Sequence, residues 1–165
     1  MMKRAATHVI VFTCLSFLLA ACGMSSATEK TAGQEQALDF TLNDLNGNSV
    51  SLSDFSGKKA LLLDFTTTWC PHCVTIIPEL KDIYNEYKDK DLQVLAIYVN
   101  ESTANTEKFA QKHQIPYTVL VDEDGSIGNK YEIRGVPTII VVGKDGMIKD
   151  RGHRISRDVI ESAVK

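Results

Sequence analysis

The stretch KALLLDFTT, Lys59 to Thr67, is a nearly continuous apolar run, the pattern of a central strand covered on both faces. Such a strand needs partners on each side and helices above and below it. The next segment supplies one of them. From Pro71 to Tyr87, apolar residues recur at Cys73, Ile76, Ile77, Leu80, Ile83, Tyr84 and Tyr87, a helical period. Pro78 falls inside this helix and should kink it.

The alternation continues. LQVLAIYVN, Leu92 to Asn100, is a second buried strand, TANTEKFAQKH a helix with Phe109 and Ala110 inward, and YTVLVD a third strand. A short helix or turn is expected from Ser126 to Tyr131. TIIVV, the turn GKDG and MIKDRG form an antiparallel hairpin. SRDVIESAVK closes as a helix with Ser156 at its N-cap. Upstream, LDFTLNDLNGNSVSL holds two alternating runs around Asn46-Gly47, a strong hairpin signal. The expected class is α/β: a central mixed sheet flanked by helices, with an N-terminal β-hairpin.

The chain begins differently. Lys3 and Arg4 precede HVIVFTCLSFLLAAC, too short an apolar run for a comfortable membrane span and ending in small residues, as a secretory signal does. Its end, Leu19-Ala20-Ala21-Cys22, resembles the lipobox of bacterial lipoproteins, which implies cleavage before Cys22 and lipidation of its thiol. Residues 1–21 are then a signal peptide. Residues 22–37, polar and without apolar periodicity, form a lipidated cysteine and flexible tether, and residues 38–165 one domain. Fifteen coil residues reach roughly 20 Å, and at most about 50 Å extended. Cleavage removes two of the 18 basic residues and none of the 21 acidic ones, which moves the net charge from −3 to −5. No basic cluster marks a nucleic-acid partner.

This accounting isolates Cys70 and Cys73. Of four cysteines, Cys14 leaves with the signal and Cys22 carries lipid. TTTWCPHCVTIIPEL could hold a metal clip, a structural staple or a reactive dithiol. A closed zinc site needs four ligands, and His72, His113 and His153 are scattered without paired spacing. As a staple the pair closes only a two-residue loop, which restricts the unfolded chain little. Redox chemistry is the favoured reading. Pro71 suits the first helical position, which leaves Cys70 at the exposed helix N-terminus. Unpaired amides and the helix dipole favour a thiolate there, with Cys73 as the resolving thiol one turn inside. His72 can add positive charge or a hydrogen bond to that thiolate, and Pro71 and His72 together tune the potential.

LLLDFTTTWCPHC and IRGVPTIIVVGKDGMI, with their separation, resemble the thioredoxin superfamily, and most closely the membrane-anchored TlpA/ResA-like thiol-disulfide oxidoreductases of bacteria. The resemblance spans most of Leu38 to Gly152. It implies a thioredoxin-like fold, Cys70 as attacking and Cys73 as resolving cysteine, and a cis Pro137 that sets Val136 beside the dithiol to dock an extended substrate, with Trp69 on the same surface. Asp64, a carboxylate interrupting an apolar strand, matches the buried acid behind the resolving cysteine. Desolvation would raise its pKa and let it take the Cys73 proton. Partners implied are exported protein thiols or disulfides, apocytochrome c among them, and a membrane thiol reductant or oxidant. No cofactor beyond the dithiol and no metal is implied.

The chain also departs from that family. TlpA/ResA-like proteins usually carry glutamate at the position of Ile76 and often asparagine at that of Asp64, and Cys-Pro-His-Cys resembles the oxidant DsbA. Thioredoxin and DsbA potentials differ by about 150 mV, roughly 7 kcal/mol for two electrons, so the motif leaves the direction of electron flow open. Two rivals carry other chemistry. A peroxiredoxin would have Pro-x-x-x-Thr-x-x-Cys, where Thr67 fits but Leu63 replaces the proline. A thioredoxin-fold copper-delivery lipoprotein would bring His113 or His153 to the cysteines.

Overall fold

The computed structural model describes residues 35–165. The signal segment, Cys22 and the tether through residue 34 lie outside the described residues. The elements in order are β1 (Thr41–Asp44), β2 (Ser49–Ser51), a 3-10 turn (Leu52–Phe55), β3 (Ala60–Thr66), α1 (Pro71–Tyr87), β4 (Leu92–Val99), α2 (Thr103–Lys112), β5 (Thr118–Asp122), α3 (Ser126–Lys130), β6 (Thr138–Val142), β7 (Ile148–Gly152) and α4 (Arg157–Ala163). Among the described residues no helix is long and apolar enough to cross a membrane.

All seven residues of β3 are buried, as its apolar run requires. It sits near the middle of a seven-stranded sheet ordered β2-β1-β5-β4-β3-β6-β7, parallel to β4 and antiparallel to β6. The two parallel crossovers, β3-α1-β4 and β4-α2-β5, step the same way across the sheet, so right-handed connections set α1 and α2 on one face. Strand alternation divides the core accordingly. Ala60 and Leu62 join Leu80 and Ile83 of α1, Ala110 of α2 and Ile160 of α4 on that face. Leu61, Leu63 and Phe65 face the other side, with Phe40, Leu52 and Tyr131. Each fully buried Leu or Ile here contributes about 1.5–3 kcal/mol, and these paired layers hold β3 and α1 in fixed register.

The expected hairpin forms at Gly47, whose φ of +82° suits a residue without Cβ. Asp44 braces it, accepting from the amides of Asn46 and Asn48 and from Asn48 Nδ2. The hairpin does not stand apart: β1 pairs antiparallel with β5, Asn43 opposite Val121, and extends the central sheet. The domain also begins earlier than its composition suggests. Glu35 to Ala37, read as the end of the tether, run along the β6–β7 turn: Ile148 N–H donates to Glu35 O at 2.7 Å and Ala37 N–H to Gly146 O at 2.9 Å. Gln36 bridges Met147. Backbone pairing, which polar side chains do not prevent, overrides the composition. Ser156 is the N-cap of α4 as expected, although its side chain makes no capping bond.

Candidate active site

The chain leaves the core at Thr66, turns through Thr67 to Trp69, and enters α1 with Cys70 as N-cap and Pro71 in its first turn. Cys70 and Cys73 are joined as a disulfide, Cα atoms 5.3 Å apart. The Cys70 Sγ accepts from Cys73 N–H at 3.2 Å and lies 3.6 Å from Val136 O. Once reduced, a negative Sγ there would keep that amide and the positive end of a 17-residue helix, while Cys73 lies one turn inside. One expectation needs correction. Cys70 is at the helix N-terminus but is not exposed: only 5% of its surface is open, because the loop through Val136 lies against it.

The Val136-Pro137 peptide is cis. Among the described residues neither the N–H nor the carbonyl of Val136 has a backbone hydrogen bond, since β6 begins only at Thr138. An extended chain laid along this loop could pair with both groups beside the sulfur. Trp69, 73% exposed, stands at the same mouth.

Asp64 lies in β3 opposite Ala96 and Ile139, on the face that α1 covers. It is buried, and its Oδ1 has no hydrogen-bond partner among the described residues. Burial pushes its carboxyl up to about 7. Its surroundings agree: burial first, and the Asp64 charge second, push the phenols of Tyr98 and Tyr117 up as well. A carboxyl that titrates near neutrality and holds no fixed partner can both take and give a proton.

The histidines divide. His72 is exposed and its side chain makes no hydrogen bond among the described residues; in the disulfide state the donor at Cys70 Sγ is the Cys73 amide. His113 stacks on Phe109, ring centroids 4.2 Å apart, and burial, then Lys112 and Lys81, hold it below the ordinary histidine range. His153 meets Pro137 O through Nδ1 at 2.7 Å. Among the described residues no three His, Cys, Asp or Glu side chains gather to hold a metal. Leu63, where a peroxidatic motif would have proline, is fully buried in β3.

Sequence inspection missed Glu101. It follows β4, where a carboxylate reads as a solvated loop residue, yet it is 6% exposed. It accepts from Thr68 N–H at 2.9 Å and from Thr68 Oγ1 at 2.7 Å, which ties the approach to Cys70 to the end of β4. The partner lies 33 residues away, so no local pattern announces it.

Comparison with known proteins agrees with this geometry. The AhpC/TSA family model matches residues 34–151. The thiol-disulfide oxidoreductase ResA of Geobacillus kaustophilus is 34% identical over 154 residues, covering 90% of this chain and 88% of the relative. ResA of Halalkalibacterium halodurans is 32% identical over 114 residues, covering 69% and 64%. Among solved structures, a DsbE-type thiol:disulfide interchange protein from Chlorobium tepidum superposes with a TM-score of 0.74 at 26% identity, covering 81% of this chain and 98% of that one. The thioredoxin domain of a Bacteroides vulgatus thiol-disulfide oxidoreductase gives 0.70 at 29%, covering 79% and 94%. A dithiol on a thioredoxin-like frame, with these relatives, settles the assignment: the chain belongs to the AhpC/TSA family and is a ResA-like thiol-disulfide oxidoreductase.

Proposed function

We propose that this protein works outside the cytoplasm, lipid-anchored through Cys22, and exchanges disulfides with exported cysteine-containing proteins, apocytochrome c among them, and with a membrane thiol reductant or oxidant. The observation that carries the reading is the Cys70–Cys73 disulfide at the mouth of α1, beside Val136, whose N–H and carbonyl have no backbone hydrogen bond among the described residues. The lipobox Leu19-Ala20-Ala21-Cys22 supports the anchor. The cysteine pair is the whole redox group, with no further cofactor.

In the reducing direction, the Cys70 thiolate attacks one sulfur of a substrate disulfide. The substrate S–S bond breaks, a mixed disulfide forms on Cys70, and the other substrate sulfur leaves as thiolate. Cys73 then gives its proton to Asp64 and attacks Cys70 Sγ. The Cys70–Cys73 bond forms, the second substrate thiolate leaves, and two electrons have passed from the dithiol to the substrate. The oxidising direction reverses each step. Val136 and Trp69 dock the partner, and Pro71 and His72 set the potential.

Three measurements test this. Cys73→Ala removes the resolving thiol and should trap exported proteins as mixed disulfides on Cys70; recovery of no exported protein would sink the exchange role. Equilibration against glutathione gives the direction: a potential near −270 mV makes the protein a reductant, and one near −120 mV an oxidant. Cys22→Ser should release it from the membrane fraction.

A further inference from the structure

We propose that the groove beside the dithiol selects anionic segments: it takes a partner chain with a carboxylate side chain within two residues of the reactive cysteine. This rests on the exchange reading above and adds the charge of the segment exchanged.

A hollow of about 390 Å³ opens against Pro137. Ile76, Val136 and Pro137 give it an apolar floor, and His72, His153 and Arg154 stand around it. Among the described residues no acidic side chain lines it. A second hollow, about 420 Å³, shares His153 and continues past Gly135 to Arg134 and Arg151, with Glu132 as its single acid. Arg151 is committed elsewhere, donating to Tyr131 O at 2.7 Å and facing Glu35 at 3.8 Å. Arg134 and Arg154 are exposed and have no ion pair among the described residues.

These cations run against the overall charge, which is −3 for the chain. A local positive rim on an anionic protein draws an anion to that rim rather than to the surface at large. The backbone next to Arg154 is anchored by its neighbour His153. A carbonyl only accepts, so His153 Nδ1 donates to Pro137 O, and this bond ties the loop after β7 to the docking loop. Arg154, the next residue, lines the same hollow as Val136 and Pro137, where a partner cysteine must arrive. The apolar floor suits one uncharged side chain of the same segment, and the guanidinium suits a carboxylate next to it.

Exposed ion pairs are individually weak, so the selectivity should be modest, about threefold to tenfold, and should shrink with salt. The test uses the reduced full-length protein in non-ionic detergent. The probes are capped peptides with one cysteine as its 2-thiopyridyl disulfide, flanked on one side or the other by aspartate, asparagine or lysine. Exchange rates should rank aspartate over asparagine over lysine at low salt and converge at high salt. Arg154→Glu should reverse the order, with the asparagine peptide as the yardstick of exchange itself. Equal rates for all three peptides at low salt would overturn the subsite and leave exchange standing. Reaction with none of them would overturn the exchange reading, and the subsite with it.

Discussion

Replacing Asp64 with asparagine should change how stability depends on pH. The carboxyl has an ordinary value of 3.8, is raised by burial to about 7 in the folded protein, and has no partner at Oδ1. Between these values the unfolded chain releases the proton while the folded one retains it. The folded state then binds one proton more, so stability falls as pH rises, by about 1.4 kcal/mol per pH unit. Across the interval of about three units the loss reaches about 4 kcal/mol; below the interval titration adds no loss, and above it the loss is complete. Asparagine does not titrate and lacks this slope. Urea unfolding of the oxidised proteins from pH 4 to pH 9 would measure it, because the remaining groups titrate alike in both and cancel in the difference. The variant should gain on the wild type by about 4 kcal/mol between the acid and alkaline ends, whatever the offset between acid and amide at pH 4. Curves that stay parallel throughout would refute both the raised value and the proton-transfer role built on it. The same variant should also accumulate the Cys70 mixed disulfide at neutral pH, since resolution loses its proton acceptor, at a cost of about 100-fold or more in rate.

Other outcomes follow from single contacts. Glu101→Ala leaves the Thr68 amide and hydroxyl without their acceptor and should cost about 2–3 kcal/mol in urea unfolding, whereas Glu101→Gln, which still accepts, should cost less. In Gly128→Ala the new Cβ would lie 2.7 Å from Val99 Cγ1, beneath the amide that donates to Asp122; overpacking should lower stability by about 1–3 kcal/mol. Ile160→Ala empties a fully buried site between α4 and the sheet and should cost about 2–5 kcal/mol, with little effect on the reduction potential. Asp44, held below the usual carboxylate range first by the Asn48 side chain, should stabilise the hairpin at neutral pH and lose that contribution as acid protonates it. Because the site is open to solvent, Asp44→Ala should cost under about 1 kcal/mol at pH 7 and nothing measurable once wild-type Asp44 is protonated.

Features written in consecutive residues could be read directly. The apolar period and Pro71 locate α1 at Pro71–Tyr87, and the unbroken run before it locates β3. The cysteine pair, the buried acid and the cis proline were accessible through local motif and family resemblance together. What depended on distant partners was not. Nothing in TLND says that it will pair with β5, because an exposed alternating strand is equally consistent with a free hairpin. Glu35 and Gln36 looked like tether because their side chains are polar, and Ala37 because a lone methyl signals no core, while their backbone does the pairing. Glu101 needed Thr68 to explain its burial. His72 shows how little a position between two cysteines says about contact: in the disulfide state its side chain faces solvent, and the backbone amide of Cys73 donates to Cys70 Sγ.

The margins of the sheet bear on the kind of visitor this protein receives. One margin is β2, three residues long; the other is β7, which carries Lys149, Asp150 and Arg151 in succession. Short and charged borders are poor templates for a strand from another molecule. An extended protein segment therefore finds little purchase along the flanks, whereas Val136, which has no backbone hydrogen bond among the described residues, lies beside the sulfur. Blunt borders of this kind disfavour strand addition along the flanks and leave the loop at Val136, beside the sulfur, as the place where a partner segment can pair.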